Sequence, residues 1–192
     1  MHAAIHKTDD GYEATYERLL KHPPAKVWRA ITDPERVKDW FVRTELEPRV
    51  GGRYVEHHDH VGVSMEGTIT RFDPPRAFEH TWWGQTPAGE RDPRILWEIH
   101  PHGEGSRLVM TYRFPSLDGA HMAMAGWHIC IDVLVAVLDG ENPAAHLPPQ
   151  GSFADGKFTV QIPGEGLWSR REALEAEYAD NVAAQARHGD AA

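Results

Sequence analysis

Cysteine is almost absent. Cys130 is the single thiol in 192 residues, so the chain cannot form an internal disulfide. That usage suits a reducing compartment, and a cytoplasmic location is expected. Cys130 itself sits in an apolar, helical-looking stretch, where a small core side chain is a far more ordinary role than a nucleophile. Net positive charge is missing too. With 20 Lys and Arg against 29 Asp and Glu, the formal charge is −9 with histidines neutral. An acidic chain with scattered cations is poorly suited to nucleic acid or an anionic membrane surface, so neither is expected as a partner. No apolar run looks long enough to cross a bilayer, and the start MHAAIHKTDDGYE has no signal-peptide core. The sequence also lacks G-x-S-x-G, H-E-x-x-H and CxxC motifs. HGEGS (102–106) and PGEGL (163–167) read as turns, because neither joins a strand to a helix bearing a phosphate-loop lysine. No cofactor is expected.

What the chain does have is one long apolar helix. Residues 117–139 contain no proline, and Met124, Trp127, Ile131, Leu134, Val135 and Leu138 recur at helical spacing. Asp118 is the expected cap at its start and Gly140 the left-handed residue at its end. A helix apolar round so much of its circumference must be covered on more than one side.

The preceding residues supply the cover. Residues 1–11 read as a flexible leader and 12–22 as an edge strand ended by Pro23-Pro24. Two short helices follow, 25–31 and 35–41, the second opened by Asp33-Pro34 as cap and first turn. Hairpins come next: 44–49 with 53–58 around Gly51-Gly52, 63–73 with 76–83 around Pro74-Pro75, and 94–100 with 107–114 around HGEGS. The connection 84–93 is polar. Strands in sequence order joined by short links, then one helix, define an α+β fold with a curved antiparallel sheet of about six to seven strands. The domain is expected to span 12–140. Residues 141–192 read as a Pro/Gly-rich arm, with a short strand at 158–162, then an amphipathic helix at 167–187. Leu167, Leu174, Tyr178 and Val182 form its stripe, which fits its own domain or a second copy in a homodimer.

Five segments in this order resemble a known family. They are PPAKVWRAITDPERVKDWF (23–41), VGGRY (50–54), GTITRFDPPRAFEHTW (67–82), GSRLVMTYRF (105–114) and GWHICIDVLVAVLDG (126–140). Together they resemble the START-like helix-grip superfamily, also called SRPBCC. The branch is similar to the C-terminal domain of the ATPase activator of the ninety-kilodalton heat-shock chaperone. The resemblance implies a sheet gripping a long C-terminal helix with a cavity between them. Relatives in that superfamily include chaperone activators, lipid and hormone binders, and polyketide cyclases, so fold alone does not fix the activity.

Alternation along the strands places large rings on one face: Phe78, His80 and Trp82; Ile95, Trp97 and Ile99; Met110, Tyr112 and Phe114. A ligand-binding cavity is therefore expected to be lined by Trp82, Trp97, Met110 and Tyr112 from the sheet. Met124, Trp127 and Ile131 would face them from the helix, with His80 and His128 as polar handles. His80, Glu98 and His128 are also the candidates for acid–base catalysis, although a polar group orienting a ligand is the commoner use of such side chains. In the run His57-His58-Asp59-His60, His58 and His60 share a face and could supply two metal ligands. No third ligand is evident, so a polar strand end is the plainer reading and no metal is expected. The leading expectation is a binder of a small apolar or aromatic ligand. A chaperone-directed, stress-related interaction protein and a cyclase- or hydrolase-type enzyme are the alternatives.

Overall fold

The computed structural model describes residues 2–60, 62–82, 93–154 and 157–189. Its centre is a single antiparallel sheet with spatial order β1-β2-β8-β7-β6-β5-β4-β3. The strands are β1 (Ala4–Thr8), β2 (Gly11–Leu20), β3 (Arg43–Leu46), β4 (Arg53–His58), β5 (Val63–Asp73), β6 (Ala77–Thr81), β7 (Arg94–His102) and β8 (Gly105–Phe114). The expected hairpins are all present. Between β2 and β3 run the short helices α1 (Pro24–Thr32) and α2 (Pro34–Val37). Asp33 caps α2 as expected, its side chain accepting from Glu35 N at 3.1 Å. The helix stops at Val37, so Trp40 and Phe41 lie in the turn beyond it. The connection 84–92 and Trp83 lie outside the described residues.

The sheet has eight strands rather than six or seven, because the expected leader contributes β1. Residues 4–8 pair with β2 in the register Ile5↔Ala14, and Ala3 and Ile5 are buried. The turn into β2 passes through Gly11 at φ +139°, where a Cβ would sit 2.5 Å from the Phe114 carbonyl oxygen. Only glycine fits there.

The long helix α3 (Ala120–Leu138) lies across the concave face of the sheet. Its N-terminal cap is Gly119 at φ 68°, not Asp118, whose own amide is held by Ser116 Oγ at 2.9 Å. Gly140 closes the other end at φ 99°, as its position suggested. By length and composition α3 qualifies as a bilayer-crossing helix, contrary to the expectation from the sequence. It is instead the core helix of the domain: Met124, Leu134 and Ile131 are fully buried.

The second side of α3 is covered by the C-terminal helix α4 (Arg171–Gly189). Leu174 and Tyr178, one turn apart, are both fully buried, so the apolar stripe is used on its own domain. Strands β9 (Gln150–Ala154) and β10 (Lys157–Ile162) pair antiparallel as a separate two-stranded sheet. A polar cluster secures the helices. The Tyr178 hydroxyl accepts from Ala3 N at 2.9 Å and lies 2.9 Å from His128 Nδ1. His128 Nε2 is 3.4 Å from Asp132, which also takes a 2.7 Å bond from Arg18 of β2.

Burial alone would raise the Asp132 pKa, but the bonds from His128 and Arg18 outweigh it and hold the carboxyl at about 2. A folded-state pKa below the unfolded one stabilises the fold above the unfolded value. That contribution is lost as pH falls from about 4 towards 2. Asp132→Asn is therefore expected to shrink the stability difference between pH 6 and pH 2.5 by on the order of 2 kcal/mol in urea titrations. An unchanged difference would show that the pair is solvent-screened.

Candidate functional site

Strand alternation on β4 sends Tyr54, Glu56 and His58 towards α3. Tyr54 and Glu56 are buried, Glu56 with only 1% of its surface exposed. Trp82, just beyond β6, swings its indole across the sheet, and its Nε1–H donates to Glu56 Oε2 at 2.9 Å. His58 Nε2 lies 3.0 Å from the same oxygen, and His58 retains a small exposed edge. The other oxygen, Glu56 Oε1, has no hydrogen-bond partner among the described residues. Burial first, and then the adjacent Glu56, push the Tyr54 phenol well above its usual range.

His80 approaches from β6. It is fully buried, with its ring 4.0 Å from that of Tyr54 and stacked at 5.1 Å on Phe78. Its Nδ1 is 3.0 Å from the Thr81 carbonyl oxygen, a contact that requires the proton on Nδ1. Burial lowers its pKa, with Glu56, the Thr81 carbonyl and Glu79 opposing, so the ring is held towards its neutral form. Nε2 is then a bare acceptor, and it too has no partner among the described residues. Trp127 completes the set from α3. Its ring stacks on Phe41 at 5.0 Å and meets Trp82 at 5.6 Å and Trp97 at 6.0 Å, while its Nε1–H has no acceptor among the described residues.

Glu56 Oε1, His80 Nε2 and Trp127 Nε1 are the buried side-chain polar atoms without partners among the described residues. Contacts relate all three to one region between β4, β6 and α3: Tyr54 touches His80 beside Glu56, and Trp82 joins Glu56 to Trp127. The charge of Glu56 also reaches the Cys130 thiol on α3, which burial first and Glu56 second push upward. That shift leaves Cys130 a poor nucleophile. Each unpaired buried group costs about 1–3 kcal/mol, an expense that a folded chain rarely carries without a use for it.

The residues expected to line a cavity divide into two groups. Trp82, Trp97 and Tyr112 meet Trp127 or one another edge to face, and Met110, Met124 and Ile131 are buried in the same core. His80 joins them. His128 does not: one residue on from Trp127, it faces Tyr16 and Tyr178 in the cluster beneath α4. Glu98 does not either. It lies on the outer face of β7, 3.4 Å from Arg71. The rings of His58 and His60 are 5.7 Å apart. Burial, then His58 and Arg171, lower the His60 pKa to about 4. Among the described residues no group of three or more His, Cys, Asp or Glu could hold a metal ion. Glu56, Tyr54 and Phe41 were absent from the expected lining residues.

A curved antiparallel sheet closed on a long C-terminal helix, with rings packed between them, defines a protein of the helix-grip class. The model of the family described as "Activator of Hsp90 ATPase homolog 1-like protein" matches residues 21–139, more than half of the chain, and the chain belongs to that family. No curated protein matches it. Among solved structures it is similar to the solution structure of CalU16 from Micromonospora echinospora, with a TM-score of 0.65 and 18% identity over 98% of this chain and 94% of that one. It is also similar to the BPP1335 product of Bordetella parapertussis, with a TM-score of 0.66 and 24% identity over 92% and 90%. The Aha1 dimer of Colwellia psychrerythraea aligns with a TM-score of 0.56 and 16% identity over 67% and 96%. The first two alignments extend past residue 140. At these identities the likeness concerns fold alone.

Proposed function

We propose that this protein binds a small, largely apolar or aromatic molecule between the sheet and α3. One observation carries the reading: three unpaired buried polar atoms, on Glu56, His80 and Trp127, share one aromatic-walled region. Rings of Trp82, Trp97, Tyr112 and Phe41 would supply apolar area, and the three polar atoms would supply orientation. Neutral His80 offers an acceptor and Trp127 a donor, so the favoured ligand carries both kinds of group on a flat body. Phe41 and Trp82 are only partly buried, and they mark where the interior meets the surface.

The test begins with native and denaturing mass spectra of the freshly purified chain. It continues with a titration of 2-naphthol and naphthalene followed by indole N–H resonances. Saturable shifts at Trp82 and Trp127 are expected, with Trp28, packed against Phe72, unmoved. If no small mass is lost on denaturation and neither compound shifts Trp127, the reading fails. The chaperone-directed alternative predicts the reverse pattern: capture of the chaperone by the apo chain, with no effect of ligand.

A further inference from the structure

A concavity of about 460 Å³ lies on the outside of the grip, where α1 and the α2 turn meet the C-terminal end of α3. Its floor is apolar: Leu134, Val137 and Leu138 from α3, with Ala30 and the edge of Trp40. The Trp40 wall is fixed, because its Nε1–H donates to the Ala30 carbonyl at 2.9 Å. The charged groups lining it are Lys26, Arg29, Arg36 and Asp39, three cations to one anion in a chain of net charge −9. Lys26 is already engaged, donating to the Leu138 carbonyl at 2.9 Å. The two guanidinium groups are different. Among the described residues neither Arg29 nor Arg36 has a side-chain hydrogen bond or ion pair, whereas most arginines of this chain do, including Arg53, Arg76 and Arg113.

We infer that this groove is a binding site for a small anionic amphiphile, a carboxylate or phosphate head on a short alkyl body. The guanidinium fork matches the oxygens of such a head, and two forks beside an apolar floor separate the polar from the apolar end of a ligand. The volume falls in the range of small-molecule sites. Charge complementarity selects this occupant: an uncharged chain would leave both guanidinium groups unused, and a cationic one would be repelled. The inference is independent of the reading proposed for the interior, since it uses none of the same side chains.

The test is a calorimetric and NMR titration of the full chain with decanoate, decyl phosphate, decanol and decyltrimethylammonium, each below its micelle concentration. Decanoate or decyl phosphate is expected to bind one to one, shift the Trp40 indole N–H, and weaken as salt screens the head. The ratio between these two identifies the preferred head group. Arg29→Ala combined with Arg36→Ala is expected to weaken binding at least tenfold while leaving the thermal midpoint unchanged, because both side chains are exposed. Equal affinity for decanol, an undiminished double variant, shifts confined to Trp82 and Trp127, or no binding by either anion would each overturn the inference.

Discussion

Glu56→Gln is expected to weaken 2-naphthol binding by roughly ten- to a hundredfold and to leave the fold as stable as before. The two effects separate because the two carboxyl oxygens have different work. Oε2 takes the Trp82 N–H, and the amide oxygen of glutamine can take that bond with the same shape. Among the described residues Oε1 forms no hydrogen bond, so no such bond is lost when it becomes an amide nitrogen, and the neighbouring Tyr54 phenol no longer faces a carboxylate. A ligand hydroxyl aimed at that position would instead meet a donor. A mismatched buried hydrogen bond of this kind is worth about 1–3 kcal/mol, which gives the fold-change. Naphthalene, which has no hydroxyl, should bind wild type and variant alike. Glu56→Ala would be a poorer probe, since it also opens a void and strands the Trp82 N–H. If the glutamine variant loses thermal stability without losing 2-naphthol, Glu56 is a structural residue and the site lies elsewhere.

The sheet and its central helix were legible because their signals are local. Gly51-Gly52, Pro74-Pro75 and HGEGS each turn a chain that alternates on either side, and Gly140 ends α3 where a left-handed residue was anticipated. The first strand was not legible, since five residues containing a histidine and a lysine carry little alternation. Its place is set by Gly11 and by the unpaired edge of β2. The site divides the same way. Trp127 and His128 are neighbours on a helix and point about 100° apart, so Trp127 meets Trp97 of β7 while His128 meets Tyr16 of β2 and Tyr178 of α4. The same reasoning separates Trp97 from Glu98 on a strand. Glu56 is a different case. Tyr54-x-Glu56-x-His58 reads as a strand running out into polar residues, and what buries the carboxyl is an indole from 26 positions further on. No local pattern announces a contact of that range.

The sequence marked an amphipathic helix at 167–187 striped by Leu174 and Tyr178, and α4 carries the largest stability effect we expect. Leu174→Ala should destabilise the fold by about 3 kcal/mol, in the range for a fully buried leucine whose site cannot collapse. For a chain of this length, that corresponds to a fall of roughly 6–12 °C in the thermal midpoint. Leu174 is 1% exposed, and Tyr178 on the next turn is fully buried with both Ala3 N and His128 bonded to its hydroxyl. Removing the leucine therefore opens a void that also loosens the attachment of the N-terminal strand. Glu172→Ala, on the solvent side of the same helix, should change stability by less than about 0.5 kcal/mol and serves as the control. The measurement is urea unfolding of the full chain at one pH, with 2-naphthol affinity determined alongside. A large loss of stability with affinity retained would place α4 as the back wall that keeps α3 against the sheet, remote from Glu56. A loss below about 1 kcal/mol would mean that α4 is not docked on α3 in solution. Its stripe of Leu174, Tyr178 and Val182 would then be free to bind a second copy of the chain.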